Sequence, residues 1–580
     1  MTRRRLFPIL LLLGLAMAVQ TVARADDVLD VIPGDALGFV AVNRLAETDA
    51  KVRKTLEDVQ LPPFSFLAQF KAKSRIESGL DESGTAAVVA MPGAEADSEP
   101  AVLVFLPVKD FGKLIEPFKP DDPAAPIVRV EGSQGKALVA KLGAYAVATE
   151  PSHREALQKT LDAKKHVADD LAGLRPWMAE HDVVGVLTEP GVRLACAKGQ
   201  QGLEVARAGM EAAAGEGNPA VEGLKVYQQL FDLAKEQVTA VAVGGQIGDG
   251  GLVRISERVR FRSGGKLSGS GRSESAPQGL LAGLPAGPFV VAFGGVLPEG
   301  ASEALMQFSV NMMKSMPNLY GVTDEQADQI MELSRESLEG MRGMSFMIGV
   351  GKPGDPLYSN MVFSMQMDDA HAYLDAYQKQ IKAMNEILQD AKSSLMSEMK
   401  VTKIDLEGTP GLKVEMNFPS LPGMEAEPNL PKLMEGLFGP GGKIRIFLAA
   451  ADEHTVVAAY TGRRALKRCL KAAKRPRAAL AADEGIAATA ALLPSGAPLV
   501  GYWSPKGTVA FVNQSISLFA SIEEGKIVLP DFPETPPVGM ATTISADEVQ
   551  TDVVIPGEVL KAIGAYVGEV QKMIAEKNAL

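Results

Sequence analysis

Apolar and polar positions alternate in two ways along the chain. Short apolar runs bounded by Gly, Pro or Asp come in adjacent pairs, such as 86–91 with 101–107 and 238–246 with 251–261. This pattern is typical of β-strands joined in hairpins. Between the pairs lie longer stretches whose apolar residues recur every three or four positions, which predicts amphipathic helices. The combination predicts an α+β fold of mainly antiparallel sheet with helices packed on one face.

The outline of the first strand recurs later in the chain. Residues 29–42 read LDVIPGDALGFVAV, and a Leu-Pro pair, a turn and an apolar run return at 281–293 and 492–503, with a degenerate copy at 171–187. Proline fixes φ and cannot continue the preceding element, and the small residues after it favour a turn. Each copy therefore predicts the first strand of a module.

Two further units occur twice. A strand leads into a helix with the pattern Ala-Leu-x-x-x-Leu at 141–161 and at 450–470. A strand leads through an Asp into a helix at 101–118 and at 361–381, where the Asp is expected to cap the helix. Recurrence of whole units in one order predicts tandem repeated modules that are internally duplicated.

The order of the repeats predicts a long and a short module in each half of the chain. The predicted modules are 26–165 (long), 170–262 (short), 280–475 (long) and 490–580 (short). The Gly- and Ser-rich stretch 263–279 is interpreted as a linker between the halves, and a long hairpin loop is the alternative.

The N-terminus predicts export. Arginines at 3–5 precede an apolar run at 9–19, and Ala23 and Ala25 form a small-x-small cleavage site. This arrangement is that of a secretory signal peptide, here residues 1–25, and an uncleaved N-terminal anchor is the alternative. We therefore expect a secreted bacterial protein, located in the periplasm or outside the cell.

The mature N-terminus carries the motif x-x-Ile-Pro-x-Asp-Ala-x-x-Phe-Val-x-Val, formed by Ile32, Pro33, Asp35, Ala36, Phe39, Val40 and Val42. In this motif the chain resembles a broad group of exported bacterial proteins of unknown function. The resemblance covers the mature N-terminus and, through the repeat, the starts of the modules. The resemblance agrees with an exported α+β protein built from repeats, and it implies no activity.

The charge balance argues against one class of partner. Loss of residues 1–25 removes four arginines and no acidic residue, which takes Lys and Arg from 59 to 55 against 71 Asp and Glu, a net charge of −16. Nucleic-acid-binding proteins normally present a basic face, so we expect no nucleic acid as partner. No later apolar stretch reaches the length of a membrane-spanning helix, so we expect a soluble mature chain without a transmembrane segment.

One segment departs from the acidic average. Residues 463–477, RRALKRCLKAAKRPR, hold eight basic residues and no acidic residue. The pattern predicts an ordinary helix with a solvated basic side and with Leu466 and Leu470 buried. Contact of the basic side with an anionic polymer, a lipid surface or an acidic patch of a partner is the alternative. The candidate contact residues are Arg463, Arg464, Lys467, Arg468, Lys471 and Lys474.

The sequence lacks the motifs of common enzymes and metal sites. Its five histidines are not spaced as metal ligands, and no Gly-x-Ser-x-Gly nucleophile elbow occurs. His454 beside Asp452 and Glu453 is interpreted as part of a polar turn, with a metal or acid–base cluster as the alternative. The stretch 349–354, GVGKPG, lacks the spacing of a phosphate loop and predicts a hairpin turn. We expect no cofactor and no catalytic or metal-binding residues.

Two sulfur-containing residue types leave alternatives open. Cys196 and Cys469 are expected to be buried thiols, and a disulfide is the alternative that export permits. Fourteen of the 24 methionines lie between Met306 and Met399. They predict a core between helices, with an apolar groove for a ligand or partner, or a copper site, as alternatives.

Together these patterns predict an exported, non-enzymatic envelope protein that binds an unknown protein or envelope ligand through its modules. One alternative is a hydrolase with an unrecognised carboxylate site, which requires a deep pocket holding acidic residues with raised pKa values. The other alternative is binding to a membrane surface or an anionic polymer through the helix at 463–477.

Overall fold

The structure is a computed structural model that describes residues 26–580 except 94, 96–97, 133–134, 215–218, 266–276, 297–305, 307–309, 311–313, 315–322, 339, 391–397, 407, 418–428, 520–527 and 579–580. The predicted signal peptide 1–25, with the cleavage residues Ala23 and Ala25, lies outside the described residues. So does most of the predicted linker 263–279.

The described residues form two units. Unit 1 consists of the described parts of Met1–Lys198, Leu233–Ser268 and Asp547–Ala565, and unit 2 of those of Gly199–Asp232, Gly269–Ala546 and Tyr566–Leu580. Two segments thus lie in a different half from the one that the module boundaries assign to them. Residues 199–232 belong to unit 2, and residues 547–565, near the end of the chain, belong to unit 1.

In its described residues, unit 1 contains an antiparallel sheet of ten strands. The strands are β1 (Gly38–Val42), β2 (Ala86–Met91), β3 (Ala101–Pro107), β4 (Val128–Gly132), β5 (Gly135–Leu142), β6 (Tyr145–Thr149), β7 (Val183–Thr188), β8 (Val238–Ile247), β9 (Val253–Phe261) and β19 (Glu548–Ile555). Their order is β4-β5-β6-β3-β2-β1-β7-β8-β9-β19. The predicted hairpins β2–β3 and β8–β9 are confirmed.

The described part of unit 2 contains an antiparallel sheet of nine strands. The strands are β10 (Phe289–Val296), β11 (Met341–Gly349), β12 (Met361–Met367), β13 (Met399–Leu406), β14 (Thr409–Met416), β15 (Ile444–Ala450), β16 (Thr455–Tyr460), β17 (Leu499–Trp503) and β18 (Val538–Ile544). Their order is β13-β14-β15-β16-β12-β11-β10-β17-β18. The predicted hairpin turn at 349–354 joins β11 to β12, as expected.

Along the chain, α-helices precede the first strand, separate many of the others and follow the last strand. Those of the described residues are α1 (Asp26–Leu29), α2 (Leu45–Asp58), α3 (Phe66–Ser74), α4 (Phe111–Ile115), α5 (Arg154–Leu161), α6 (Val167–Leu171), α7 (Arg175–Glu180), α8 (Glu189–Ala214), α9 (Pro219–Gln237), α10 (Asp324–Leu338), α11 (Ala370–Asp390), α12 (Leu430–Phe438), α13 (Arg463–Lys474), α14 (Glu484–Ala490), α15 (Pro505–Phe519) and α16 (Gly557–Asn578). The predicted capping by Asp is confirmed twice. Asp110 accepts from the backbone N–H of Lys113 at the start of α4, and Asp369 from that of Ala372 at the start of α11. Antiparallel sheets combined with helices confirm the α+β class.

Both faces of the unit 1 sheet carry helices. Phe39 and Ala41 belong to one buried core, to which α5 and α7 contribute Leu157 and Trp177. Val42 lies on the opposite face, in a second core formed with α2, α3 and α4. The expectation of helices on one face is therefore wrong for unit 1. Successive residues of a strand point to opposite faces, and apolar residues occupy both sets of positions here, so each face needs cover.

The unit 2 sheet is covered in the same two-sided way at one end. Helix α11 packs Leu374 and Ile381 against Leu448 and Val456 on one face. Helix α13 packs on β12, β15 and β16 from the other face, where Val457 and Ala459 are buried. The predicted burial of Leu466 and Leu470 in α13 is confirmed. The two helices thus hold the same strands between them.

In each sheet, one interior strand closely contacts a helix. That helix comes directly after the adjacent strand of the sheet in the chain: α8 follows β7, beside β1, and α15 follows β17, beside β10. A Cβ on Gly191 in α8 would overlap the carbonyl oxygen of Leu37, just before β1, and a Cβ on Gly507 in α15 would overlap that of Phe289 in β10. Each glycine N–H also points to the hydroxyl three residues earlier, of Thr188 or Ser504. Glycine is required at both places because the backbones approach too closely for any side chain.

We expect Gly191→Ala to destabilise the protein by about 1–3 kcal/mol, because the added methyl group forces α8 away from β1. The matched control is Gly202→Ala in the same helix, where no atom lies within 4 Å of the added Cβ. Alanine has the higher helix propensity, so this control should be neutral or more stable by up to about 1 kcal/mol. Urea unfolding of both variants measures the difference. Equal stability of the two variants would refute the close-contact explanation.

Candidate functional site: the basic helix

The predicted basic helix forms at Arg463–Lys474 as α13, directly after β16. Its apolar residues Leu466, Cys469 and Leu470 are buried. One strongly apolar side and one strongly basic side force a single orientation on the sheet. The sequence pattern therefore determines which side chains of α13 face water.

Five of the six predicted contact residues are exposed, namely Arg463, Arg464, Lys467, Lys471 and Lys474. We call these five side chains the basic face. Within the described part of the chain, no ion pair or side-chain hydrogen bond engages Arg463, Arg464, Lys471 or Lys474. Arg475 and Arg477, just after the helix, are exposed as well.

Arg468 differs from the other five. Its guanidinium donates to the carbonyl oxygen of Ala286 at 2.9 Å and to Oδ1 of Asn360 at 3.3 Å. The same group occupies the space beside Gly287, where a Cβ would lie 2.8 Å from Nη2. Arg468 therefore ties α13 to the segments before β10 and β12, and we assign it a structural role instead of an anion contact.

A shallow pocket of about 420 Å³ lies at the N-terminal end of α13. It is lined by Asp405 and Leu406 at the end of β13 and by Arg463, Arg464 and Lys467. The N-cap residue is Gly462, which offers no side-chain oxygen to the first N–H groups of the helix. The positive end of the helix dipole and the cationic side chains thus both produce a positive potential at this pocket.

An apolar strip on the unit 2 sheet was not predicted from the sequence. Phe293, Met344, Leu499 and Trp503, on β10, β11 and β17, are between 39% and 42% exposed. They lie on the face that α11 covers farther along the sheet. Phe293 stands opposite Gly501, and Leu499 opposite Gly295. Nothing local in the sequence of these strands distinguishes a covered face from an open one.

Asp182 is a buried carboxylate with a raised pKa, the property that the hydrolase alternative requires of its site. Burial raises the pKa of Asp182, and Lys51 and Arg44 partly oppose this rise. Arg44 Nη2 lies 3.0 Å and Lys51 Nζ 3.2 Å from Asp182 Oδ1. The carboxylate therefore joins the end of β1 to the start of β7, which is a structural role.

His454 lies in a polar turn, and both cysteines are buried. The backbone N–H of His454 donates to Asp452 Oδ1, and its Nδ1 lies 2.9 Å from the carbonyl oxygen of Asp368, as in the predicted turn. Cys196 and Cys469 are buried thiols and are not joined in a disulfide. Burial raises the pKa of the Cys469 thiol to about 12, so the reactive thiolate is suppressed. Across the described ranges, no three His, Cys, Asp or Glu side chains converge as metal ligands.

Comparison of the chain with protein-family models, with curated proteins and with solved structures found no match. Within the residues that the structure describes, no helix combines the length and the apolar character needed to cross a bilayer.

The structural role of Arg468 can be tested by its effect on stability. Arg468→Ala should lower the free energy of unfolding by roughly 1.5–3 kcal/mol, because two hydrogen bonds from a charged donor are lost. Lys471→Ala, one turn away on the exposed side, should change it by less than about 0.5 kcal/mol. Urea unfolding of the two variants measures both values. A Lys471 variant as unstable as the Arg468 variant would contradict the division between the two sides of α13.

Proposed function

We propose that the protein is an exported, non-enzymatic envelope protein whose basic face binds an anionic polymer. One observation carries the proposal: exposed cations project from one side of α13 while the other side is buried in the fold. The mature protein as a whole is acidic, with a net charge of −16 from 55 basic and 71 acidic residues, α13 included. A concentrated positive face on an acidic protein attracts anions to one place.

The spacing of the cations suits a linear partner. Arg463, Lys467 and Lys471 follow one another at intervals of four residues, so they repeat about every 6 Å along the helix axis. Lys474 continues the row by almost one further turn. A polymer with a carboxylate, sulfate or phosphate on each repeat can contact several of these cations at once, and linked contacts reinforce one another.

The packing of α13 favours a polymer over a membrane surface. Helices that lie in a membrane interface insert their apolar side among the lipids. In α13, Leu466 and Leu470 are instead buried in the protein. The exposed side offers positive charge without a large apolar residue that could act as an anchor.

Export and internal duplication belong to the same proposal. Export is supported by the signal-peptide pattern of residues 1–25. Duplication is supported by the shared strand plan and by matched hydrogen bonds at the module starts. The N–H of Gly34 donates to the carbonyl oxygen of Lys165 at 2.9 Å, and the N–H of Ala286 donates to that of Ala478 at 2.9 Å.

The hydrolase alternative has less support. It needs at least two carboxylates whose pKa values are raised in a common pocket. Asp182 has a raised pKa, but its oxygens are engaged by Arg44, Lys51 and the backbone N–H of Ile247. A carboxylate held in this way is not available to a substrate.

Binding of residues 26–580 to heparin, a sulfated polysaccharide, tests the proposal. We expect binding at low ionic strength and release as salt is added, because exposed charges are screened over about 10 Å at 0.1 M salt. The variant R463E/K467E/K471E should bind at least about tenfold more weakly, which corresponds to about 1.4 kcal/mol. Isothermal titration at two salt concentrations measures both effects.

The control variant is K141E/K164E/K432E. It reverses three exposed lysines outside α13 and changes the net charge by the same amount. It should retain most of the heparin affinity. An equal loss in both variants would contradict a localised basic face. Binding to phosphatidylglycerol vesicles without binding to heparin would show a membrane partner and refute the polymer.

A further inference from the structure

A buried histidine of unit 1 lies outside the basic face. His181 follows the last residue of α7, and only 3% of its surface is exposed. Its ring lies against that of Trp177, with 4.4 Å between the two ring centroids. Both rings cover Gly244 of β8, where a Cβ would lie 2.5 Å from His181 Cδ2 and 2.8 Å from Trp177 Cζ2. The ring of His181 is therefore packed between α7 and the sheet.

One hydrogen bond assigns the form of this ring. Nδ1 of His181 lies 2.6 Å from the carbonyl oxygen of Trp177, and a carbonyl oxygen can only accept. Nδ1 therefore carries a hydrogen, and in the neutral ring Nε2 carries a lone pair. Nε2 is buried, and no donor among the described residues reaches it. A proton on Nε2 would create a buried, charged donor without an acceptor, which costs more free energy than an unpaired lone pair.

The charged groups that face His181 come from two strands of the sheet. Arg254 and Arg258 approach it from β9, and Asp552 approaches it from β19. Of these three groups, only the carboxylate could stabilise a positive charge on the ring. Asp552 already accepts from the hydroxyl of Ser256, and its Oδ1 lies 3.7 Å from Arg254 Nη1. The two arginines repel a charged ring, so the surroundings favour the neutral form.

The other elements around the ring offer no further carboxylate partner in the described part of unit 1. In α7, Arg175 is paired with Asp30, and Glu180 is exposed to water. Strands β7 and β8 contain no charged residue. Asp182, the next residue in the chain, is engaged by the two cations described above.

The backbone beside His181 is tied to the first strand of the sheet. Asn43, at the end of β1, donates through Nδ2 to the carbonyl oxygens of Met178 at 2.8 Å and His181 at 2.7 Å. Its N–H donates to the carbonyl oxygen of Asp182 at 2.7 Å. A displacement of His181 therefore acts on the junction between α7, β1 and β7.

We propose that His181 is an acid-sensitive latch of unit 1. Its neutral ring holds α7 on the sheet, and a proton on Nε2 weakens this contact and the junction with β1. The proposal rests on the burial of the ring, the unpartnered Nε2 and the two arginines that face it. It does not depend on anion binding by the basic face.

The pH range of the latch follows from the direction of one pKa. Burial lowers the pKa of His181; its hydrogen bond to Trp177 and the charge of Asp552 oppose this, and the two arginines of β9 add to it. Above about pH 6.5, the ordinary pKa of histidine, the ring is neutral in both the folded and the unfolded chain, and its contribution to stability is complete. As the pH falls below this value, the unfolded chain takes up the proton first, so stability is lost.

Urea unfolding at about pH 7.5 and about pH 5 tests the latch in residues 26–580. The parent carries W503F, so that Trp177, the other of the two tryptophans, reports on unit 1. Between the two pH values, we expect the unfolding equilibrium constant of the parent to rise at least about tenfold more than that of H181Q. Glutamine does not titrate, and its amide can still donate to the carbonyl oxygen of Trp177.

The control variant is H166Q, which replaces a half-buried histidine of the same unit. Its unfolding should depend on pH as that of the parent does. The acid effect of the many carboxylates is common to all three proteins and cancels in the comparison. Equal pH dependence of the parent and H181Q would overturn the proposal.

Nuclear magnetic resonance of the parent, labelled with ¹⁵N and ¹³C in its histidines, tests the latch even if H181Q does not fold. The signal of His181 is identified by its Overhauser contact to the indole of Trp177. At about pH 6, below the ordinary pKa, we expect ¹⁵N shifts of a neutral ring with its hydrogen on Nδ1. A charged ring at this pH, or a neutral ring with its hydrogen on Nε2, would refute the latch.

Discussion

Each unit is stabilised by the burial of both faces of its own antiparallel sheet. In β1, Phe39 and Val42 point to opposite faces and enter different cores. A strand of this kind is stable only when both of its faces are covered, which explains the helices on each side of the unit 1 sheet. In unit 2 the same requirement sets α11 and α13 on opposite faces of shared strands. The basic face exists because α13 has one side to bury and one side left for water.

The local pattern was enough to predict the elements but not their order across the sheet. The hairpins β2–β3 and β8–β9, the Asp caps and the burial of Leu466 and Leu470 follow from periodicity and turn residues within short windows. The pairing of β3 with β6, or of β9 with β19, is decided by contacts between distant residues. For the same reason the sequence marked Arg468 as a contact residue. Only the fold shows that Ala286 and Asn360 lie beneath it.

Contacts between distant segments show the limit of prediction from local patterns more sharply. The loop between β11 and β12, α12, α15 and Asp531 border one cavity of unit 2, and no spacing in the sequence connects Asp355 with Asp531. The basic helix could be predicted because its cations lie within one short segment of the sequence. Asn360 accepts from Arg468 of α13 and donates through Nδ2 to the carbonyl oxygen of Val350, at the start of the loop between β11 and β12, at 3.1 Å. These bonds connect α13 to that loop, which the sequence does not indicate.

The position of β19 has a consequence for how the chain acquires its structure. β19 completes the unit 1 sheet by pairing with β9, and Ser256 and Asp552, hydrogen-bonded across that pair, are 296 residues apart in the chain. Because synthesis proceeds from the N-terminus, the sheet of unit 1 cannot be completed until nearly the whole polypeptide is made. Until then β9 is an open edge, the kind of surface on which other strands aggregate. Arginines at 254, 258 and 260 alternate along that edge. Their ion-pair partners, Glu548 and Asp552, lie on β19. Before β19 is made, the positive charge along the edge discourages pairing with a wrong strand.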